Sequence, residues 1–179
     1  MSPSDIGMTG GLEESVPAST DPLPCAAAGS KSVNATVPAA SRAGVIISSD
    51  ALQAAFAEEV RVFADQATAD RALHLVGAGF GCTTGHLAGG NGGDTDVLNI
   101  QNPIDIRSQL MQNAELSKAG IRSAQVWHAG TNSVQIALVA VTQGRELILL
   151  TYQSGATPSS RLESVADVIQ KSVQKVIKT

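Results

Sequence analysis

Residues 57–82 read AEEVRVFADQATADRALHLVGAGFGC, and their periodicity changes partway along. From Phe56 to Ala64 the pattern alternates as in a strand: Phe56, Val60 and Val62 share one face, and Glu59 and Arg61 take the other. Glu58 is the misfit on the apolar side. Beyond Asp65 the spacing becomes helical, with Ala69, Ala72, Leu73, Val76 and Phe80 in one apolar stripe. Asp65 suits the N-cap, because its carboxylate can accept bonds from the free amides of the first turn. Gly77, Gly79 and Gly81 are expected to end the helix, since glycine weakens it and permits a positive φ at the stop. The stretch is therefore a strand followed by a helix that runs into Cys82.

Toward the C-terminus, residues 126–129, 134–142 and 146–153 are rich in β-branched and long aliphatic side chains and read as three strands. The separators GTN and QG are short, which favours antiparallel neighbours. LILL at 147–150 does not alternate, so its strand is expected to be central and covered on both faces. A last helix begins at Ser160 with a capping box completed by Glu163. Leu162, Val165, Ala166, Ile169, Val173 and Val176 form its apolar stripe, and Lys171, Lys175 and Lys178 lie where the helix dipole favours cations. GVIIS at 44–48 adds a strand, GHLAGGNGGDTD at 85–96 reads as a loop, and residues 97–123 leave room for one strand and one short helix. The pattern specifies an α+β fold: a single domain with an antiparallel β-sheet covered by at least two helices. Residues 1–21 read as a flexible N-terminal arm and 22–179 as the domain.

A chain of 179 residues suits one domain with a proper core. With 12 basic against 16 acidic side chains the formal charge is −4, so the basic excess that phosphate backbones select is missing and nucleic acid is not the expected partner. Aromatic content of 3% leaves aliphatic residues and alanine to fill the interior. No apolar run approaches the ~20 residues of a spanning helix, and MSPSDIGMTGG lacks the charged and apolar segments of a signal peptide. DPLPC at 21–25 is a poor lipid-attachment site, because Pro24 stands where a small residue is needed.

Cys25 and Cys82, 57 positions apart, are too distant for a CxxC element. They are either two buried thiols or one bridge, and the coil-like context of Cys25 favours the bridge. Closing a loop of that length contributes on the order of 4 kcal/mol in the chain-entropy model.

Little else in the sequence carries chemistry. Cys82, His86, His74 and His128 are zinc-ligand types, but nothing in the spacing gathers them. Asp94 and Asp96 begin like a calcium loop that then breaks off, and GAGFG follows a helix where a phosphate loop would have to open one. Asn34 starts the common triplet NAT. No GxSxG, HExxH or Walker A motif is present. No catalytic residue, metal ligand or cofactor is therefore expected. Trp127 and Tyr152 read as core residues, with His128 on the opposite strand face from Trp127. A ligand pocket is expected between the sheet and the loops at 83–96 or 101–123, with its residues unassigned.

DPLPC, the strand EEVRVFAD, the helix QATADRALHLV running to GFGC, the late GRELILLTYQSG and the final amphipathic helix together resemble the PknH-like extracellular sensor domain, over roughly residues 22–178. That family occurs on actinobacterial receptor Ser/Thr kinases and related lipoproteins. The resemblance implies an extracytoplasmic domain of the cell envelope with Cys25 and Cys82 disulfide-bonded. It further implies signal transduction through an unknown small molecule or envelope component, without catalysis, and membrane anchoring through a segment absent from this chain. One possible bridge stands here where the kinase domain has two. The ending of strand, short loop and long helix is also similar to Mog1/PsbP-like envelope lipoproteins, and a secreted hydrolase with no visible motif is a third reading.

Overall fold

The computed structural model describes residues 12–15, 25, 33–49, 54–87, 96–131, 134–155 and 165–177. Its centre is the strand expected from LILL. Leu147 and Leu149 point into one hydrophobic core while Ile148 and Leu150 point into another. Non-alternating aliphatics are the consequence of a strand buried on both sides.

The strands are β1 (Leu12–Ser15), β2 (Ser41–Ser49), β3 (Ala54–Val62), β4 (Thr84–Leu87), β5 (Asp96–Ile100), β6 (Ile104–Asp105), β7 (Ile121–Gly130), β8 (Val134–Gln143) and β9 (Glu146–Gly155). The helices are α1 (Val33–Thr36), α2 (Gln66–Gly79), α3 (Arg107–Leu110) and α4 (Val165–Ile177), with a 3-10 turn at Leu116–Lys118. All nine strands join one sheet in the order β1-β2-β3-β9-β8-β7-β5-β4, with β6 also paired to β7. Every pairing is antiparallel. The fold is α+β and forms three layers, α2 with α1 on one face and α4 with the 106–119 segment on the other.

Helix α2 positions everything that follows. It leaves β3 in the middle of the sheet, crosses over β9 and β8, and delivers the chain to β4 at the far edge. Its start is the expected one: the Asp65 carboxylate accepts the Thr68 N–H at 2.8 Å and the Thr68 hydroxyl at 2.8 Å. Its end differs. Gly77 and Gly79 lie inside the helix, Phe80 closes it by donating to the Gly77 carbonyl, and Gly81 has no positive φ. A positive φ does occur at Gly144 (51°), where Gly144 and Arg145 form the turn between β8 and β9.

The faces of β3 are as expected, with Phe56 and Glu58 on one side and Arg61 on the other, and Arg61 is buried as well. Arg61 is 1% exposed and is held bidentately by Glu59 (Nε to Oε1 3.0 Å, Nη2 to Oε2 2.8 Å), which Arg42 on β2 also grips. A buried guanidinium is tolerable only with its charge paired in this way. Glu58 accepts the hydroxyl of Ser172 on α4.

Several boundaries shift. The ends of the expected 85–96 loop are strand, in β4 and the first residue of β5. Residues 97–123 hold most of β5, then β6, α3, the 3-10 turn and the start of β7, more than one strand and one helix. Within the 1–21 segment expected as an arm, Leu12–Ser15 pair with Val45–Ser48 of β2. The capping box at Ser160 and Glu163 lies outside the described residues. Among the described side chains of α4 the buried ones are Val168, Ile169, Ser172 and Val173, so the stripe includes two residues that the spacing had left out, Val168 and Ser172.

Candidate functional site

The bridge between Cys25 and Cys82 is formed, with Cα atoms 5.6 Å apart. Both cysteines pack against the α2-side core, the Cys25 N–H donates to the Gly79 carbonyl at 3.0 Å, and the Cys82 N–H donates to the Cys25 Sγ at 3.0 Å. The crosslink thus clamps the last turn of α2. It also removes Cys82 as a thiolate ligand and engages the sulfur that a lipid would have modified in DPLPC.

Alongside that clamped turn, α2 does not seal against the sheet. A cleft of about 360 Å³ lies between the flank of α2 and strand β7, with Pro103 also lining it. On the helix side the wall is Gly77, Ala78 and Gly81, whose small size leaves the space open, with Leu73 beyond them. Gln125 and Trp127 of β7 form the sheet side, and His74 stands at the exposed mouth. Trp127 lines the cleft although it is only 2% exposed. Its ring packs on Phe80 with centroids 5.9 Å apart, and its Cζ2 lies 3.5 Å from where a Cβ on Gly77 would sit. The volume is at the lower end of the ~300–1,000 Å³ usual for small-molecule sites.

Beyond the cleft, Asp70 on α2 receives both carboxylate contacts from Arg122 Nη1 (2.5 and 2.6 Å), and Arg122 Nη2 donates to the Gly144 carbonyl at 2.7 Å. This ties the outer face of α2 to β7 and to the β8–β9 turn, so the helix carrying one cleft wall is braced at both ends.

The remaining expected positions fall as follows. Trp127 and Tyr152 are both core residues, Trp127 in the α2-side core and Tyr152 in the α4-side core. His128 pairs with Ala137, a residue of the α4-side core, so it faces away from Trp127 and from His74. Among the described residues no group of three or more His, Cys, Asp and Glu comes together, and no helix is long and apolar enough to cross a membrane. Asn34 lies in α1 and its side-chain oxygen accepts the Ala39 N–H at 3.3 Å. Pro103 belongs to one of the two loops expected to border a pocket. Leu73, Gly77 and Ala78 do not: Leu73 was assigned to the core stripe of the helix and Gly77 to its stop.

These features define a class: a three-layer α+β domain with an antiparallel sheet, one crosslink at the end of its main helix and a small cleft beside it. No family model and no curated protein matches the chain. Among solved structures it is similar to the crystal structure of the extracellular domain of PknH from Mycobacterium tuberculosis, with a TM-score of 0.61 at 11% identity, over 98% of this chain and 89% of that one. The likeness is one of fold, and it extends through every layer.

Proposed function

We propose that this chain is an extracytoplasmic, non-catalytic sensor domain of the actinobacterial cell envelope that binds a small molecule in the cleft beside Trp127. The observation that carries the reading is the fold, similar over nearly its whole length to the extracellular domain of PknH. Two features of this chain support it. A bridge such as Cys25–Cys82 persists in oxidising compartments and is rare in the cytosol. The cleft is an opening of ligand size in a domain whose charged side chains pair with one another at Asp70–Arg122 and Arg42–Glu59–Arg61. In this reading the domain transmits occupancy of the cleft to an attached or associated partner, and membrane anchoring comes from chain outside this sequence.

The test is a thermal-shift screen of the oxidised protein against envelope fractions and their purified components. A ligand at 100 times its Kd adds roughly 2.7 kcal/mol to native-state stability, and the emission of the sole tryptophan reports whether the hit lies in the cleft. A flat response across the library, or hits that leave Trp127 emission unchanged, overturns the reading.

A further inference from the structure

Glycine inside a helix weakens it relative to alanine, and nothing in the backbone of α2 calls for one at position 77. Gly77 lies within the helix and its φ is not positive. Nor does a crowded neighbour exclude a side chain there. Among the described residues, the one atom within 4 Å of a Cβ built on Gly77 is Trp127 Cζ2, at 3.5 Å, which is ordinary van der Waals contact. An alanine would therefore fit, touch the indole and narrow the space that both residues line. Leu73 stands one turn earlier on the same flank, four positions before Gly77, and presents a branched side chain to the cleft. At Gly77 that flank drops back to the backbone.

Resting on the reading of the cleft as the ligand site, we propose that Gly77 is the residue that determines what the cleft admits. Its missing side chain is the space in which a bound molecule meets Trp127, and side-chain size at position 77 sets how much of that molecule enters. The same absence leaves the end of α2 less stable than alanine would make it, so access and stability pull in opposite directions at this one position.

The probe is N-phenyl-1-naphthylamine, an uncharged aromatic amine that emits in apolar surroundings and accepts energy from tryptophan. It is titrated into the full oxidised chain and into its Gly77→Ala and Gly77→Leu variants. Trp127 is the sole tryptophan, so sensitised emission reports binding near it, and loss of that emission on substitution locates the binding at Gly77. The wild type is expected to give a saturable signal. Gly77→Ala is expected to raise the Kd roughly tenfold, the worth of one to two methylene contacts. It should also raise Tm by about 1–4 °C, as replacing a helix-interior glycine does in a domain of this length. Gly77→Leu should abolish the saturable signal. A role confined to folding would not move affinity and stability in opposite directions. Unchanged affinity in both variants, or a Tm that falls with alanine, overturns the inference and leaves the cleft standing as a site. A wild type without a saturable signal overturns it as well, and the sensor reading fails with it when the hits of the envelope screen also leave Trp127 emission unchanged.

Discussion

Thr142 occupies the one kind of position where a hydroxyl has nothing to do. It is fully buried on β8, its Cα partner across the ladder is Leu147, and among the described residues its Oγ1 has no hydrogen-bond partner. Thr142→Val removes a desolvated hydroxyl at nearly constant shape, so it is expected to stabilise the protein by about 1 kcal/mol in urea unfolding. Asp65 is the opposite case, a polar group fully engaged. The Thr68 backbone N–H and then the Thr68 hydroxyl hold its carboxyl below the usual carboxylate range. A lowered folded-state pKa means stability that is present above the ordinary value of about 4 and lost as pH falls through the folded value. The Tm gap between the wild type and Asp65→Ala should therefore be constant near neutrality and narrow on acidification below about pH 4. Tyr152 titrates at the other end, because burial pushes its phenol up. The sole tyrosine should ionise above the ordinary value of about 10 in an absorbance titration, and stability should fall as pH rises beyond that value. Asp65 was legible in the sequence because a cap is a local matter of three residues. The burial of Arg61 was not, because it depends on which elements cover the second sheet face.

At the scale of elements, one apparent error in the pattern is explained by a residue of another element. Glu58 interrupts the apolar face of β3, Ser172 is a polar residue buried on α4 outside the stripe read from the spacing, and the structure brings the serine hydroxyl onto the carboxylate across 114 positions of sequence. Glu58 is visible as a misfit in the sequence and Ser172 is not, because their pairing depends on how α4 lies across β8 and β9. The contact fixes how far α4 slides along the sheet, since apolar packing by itself is not directional. Ser172→Ala is expected to cost about 1–3 kcal/mol by stripping a bond from a buried carboxylate, while Glu58→Leu with Ser172→Ala should recover most of that loss. A double-mutant cycle by urea unfolding checks both. Strand β3 and helix α2 were readable from their periods and β8 and β9 from their runs of β-branched and long aliphatic residues, while of β7 only residues 126–129 were read. Strands β4, β5 and β6 were not, since four-, five- and two-residue strands carry too few alternations, and the glycines and polar residues around them mimic a loop. The cleft escaped notice for a related reason: Gly77 and Gly81 looked like a helix stop, and only the placement of Trp127 beside them turns small residues into an opening.

The whole molecule is two cores sharing one sheet, and chance has given each a single spectroscopic reporter: Trp127 on the α2 side and Tyr152 on the α4 side. The crosslink belongs to one side only, where it clamps the end of α2 against Cys25. If the two cores were independent, breaking the bridge would loosen the α2 layer and leave the α4 layer intact. They are not independent, because Leu147 and Leu149 enter one core and Ile148 and Leu150 the other from consecutive positions of β9. Withdrawing α2 exposes one face of a strand that the second core needs. Reduction should therefore lower the stability of the entire domain by on the order of 4 kcal/mol, and it should do so cooperatively. The measurement is urea unfolding followed by Trp127 emission and by the 19F signal of 3-fluorotyrosine at Tyr152, before and after reduction. The two midpoints are expected to coincide in both states and to move together. A Trp127 transition that runs ahead of the tyrosine signal after reduction would mean that the α2 layer opens by itself, and with it the cleft. Ligand affinity would then depend on the redox state of the bridge, where the shared sheet requires that binding and global stability rise and fall as one.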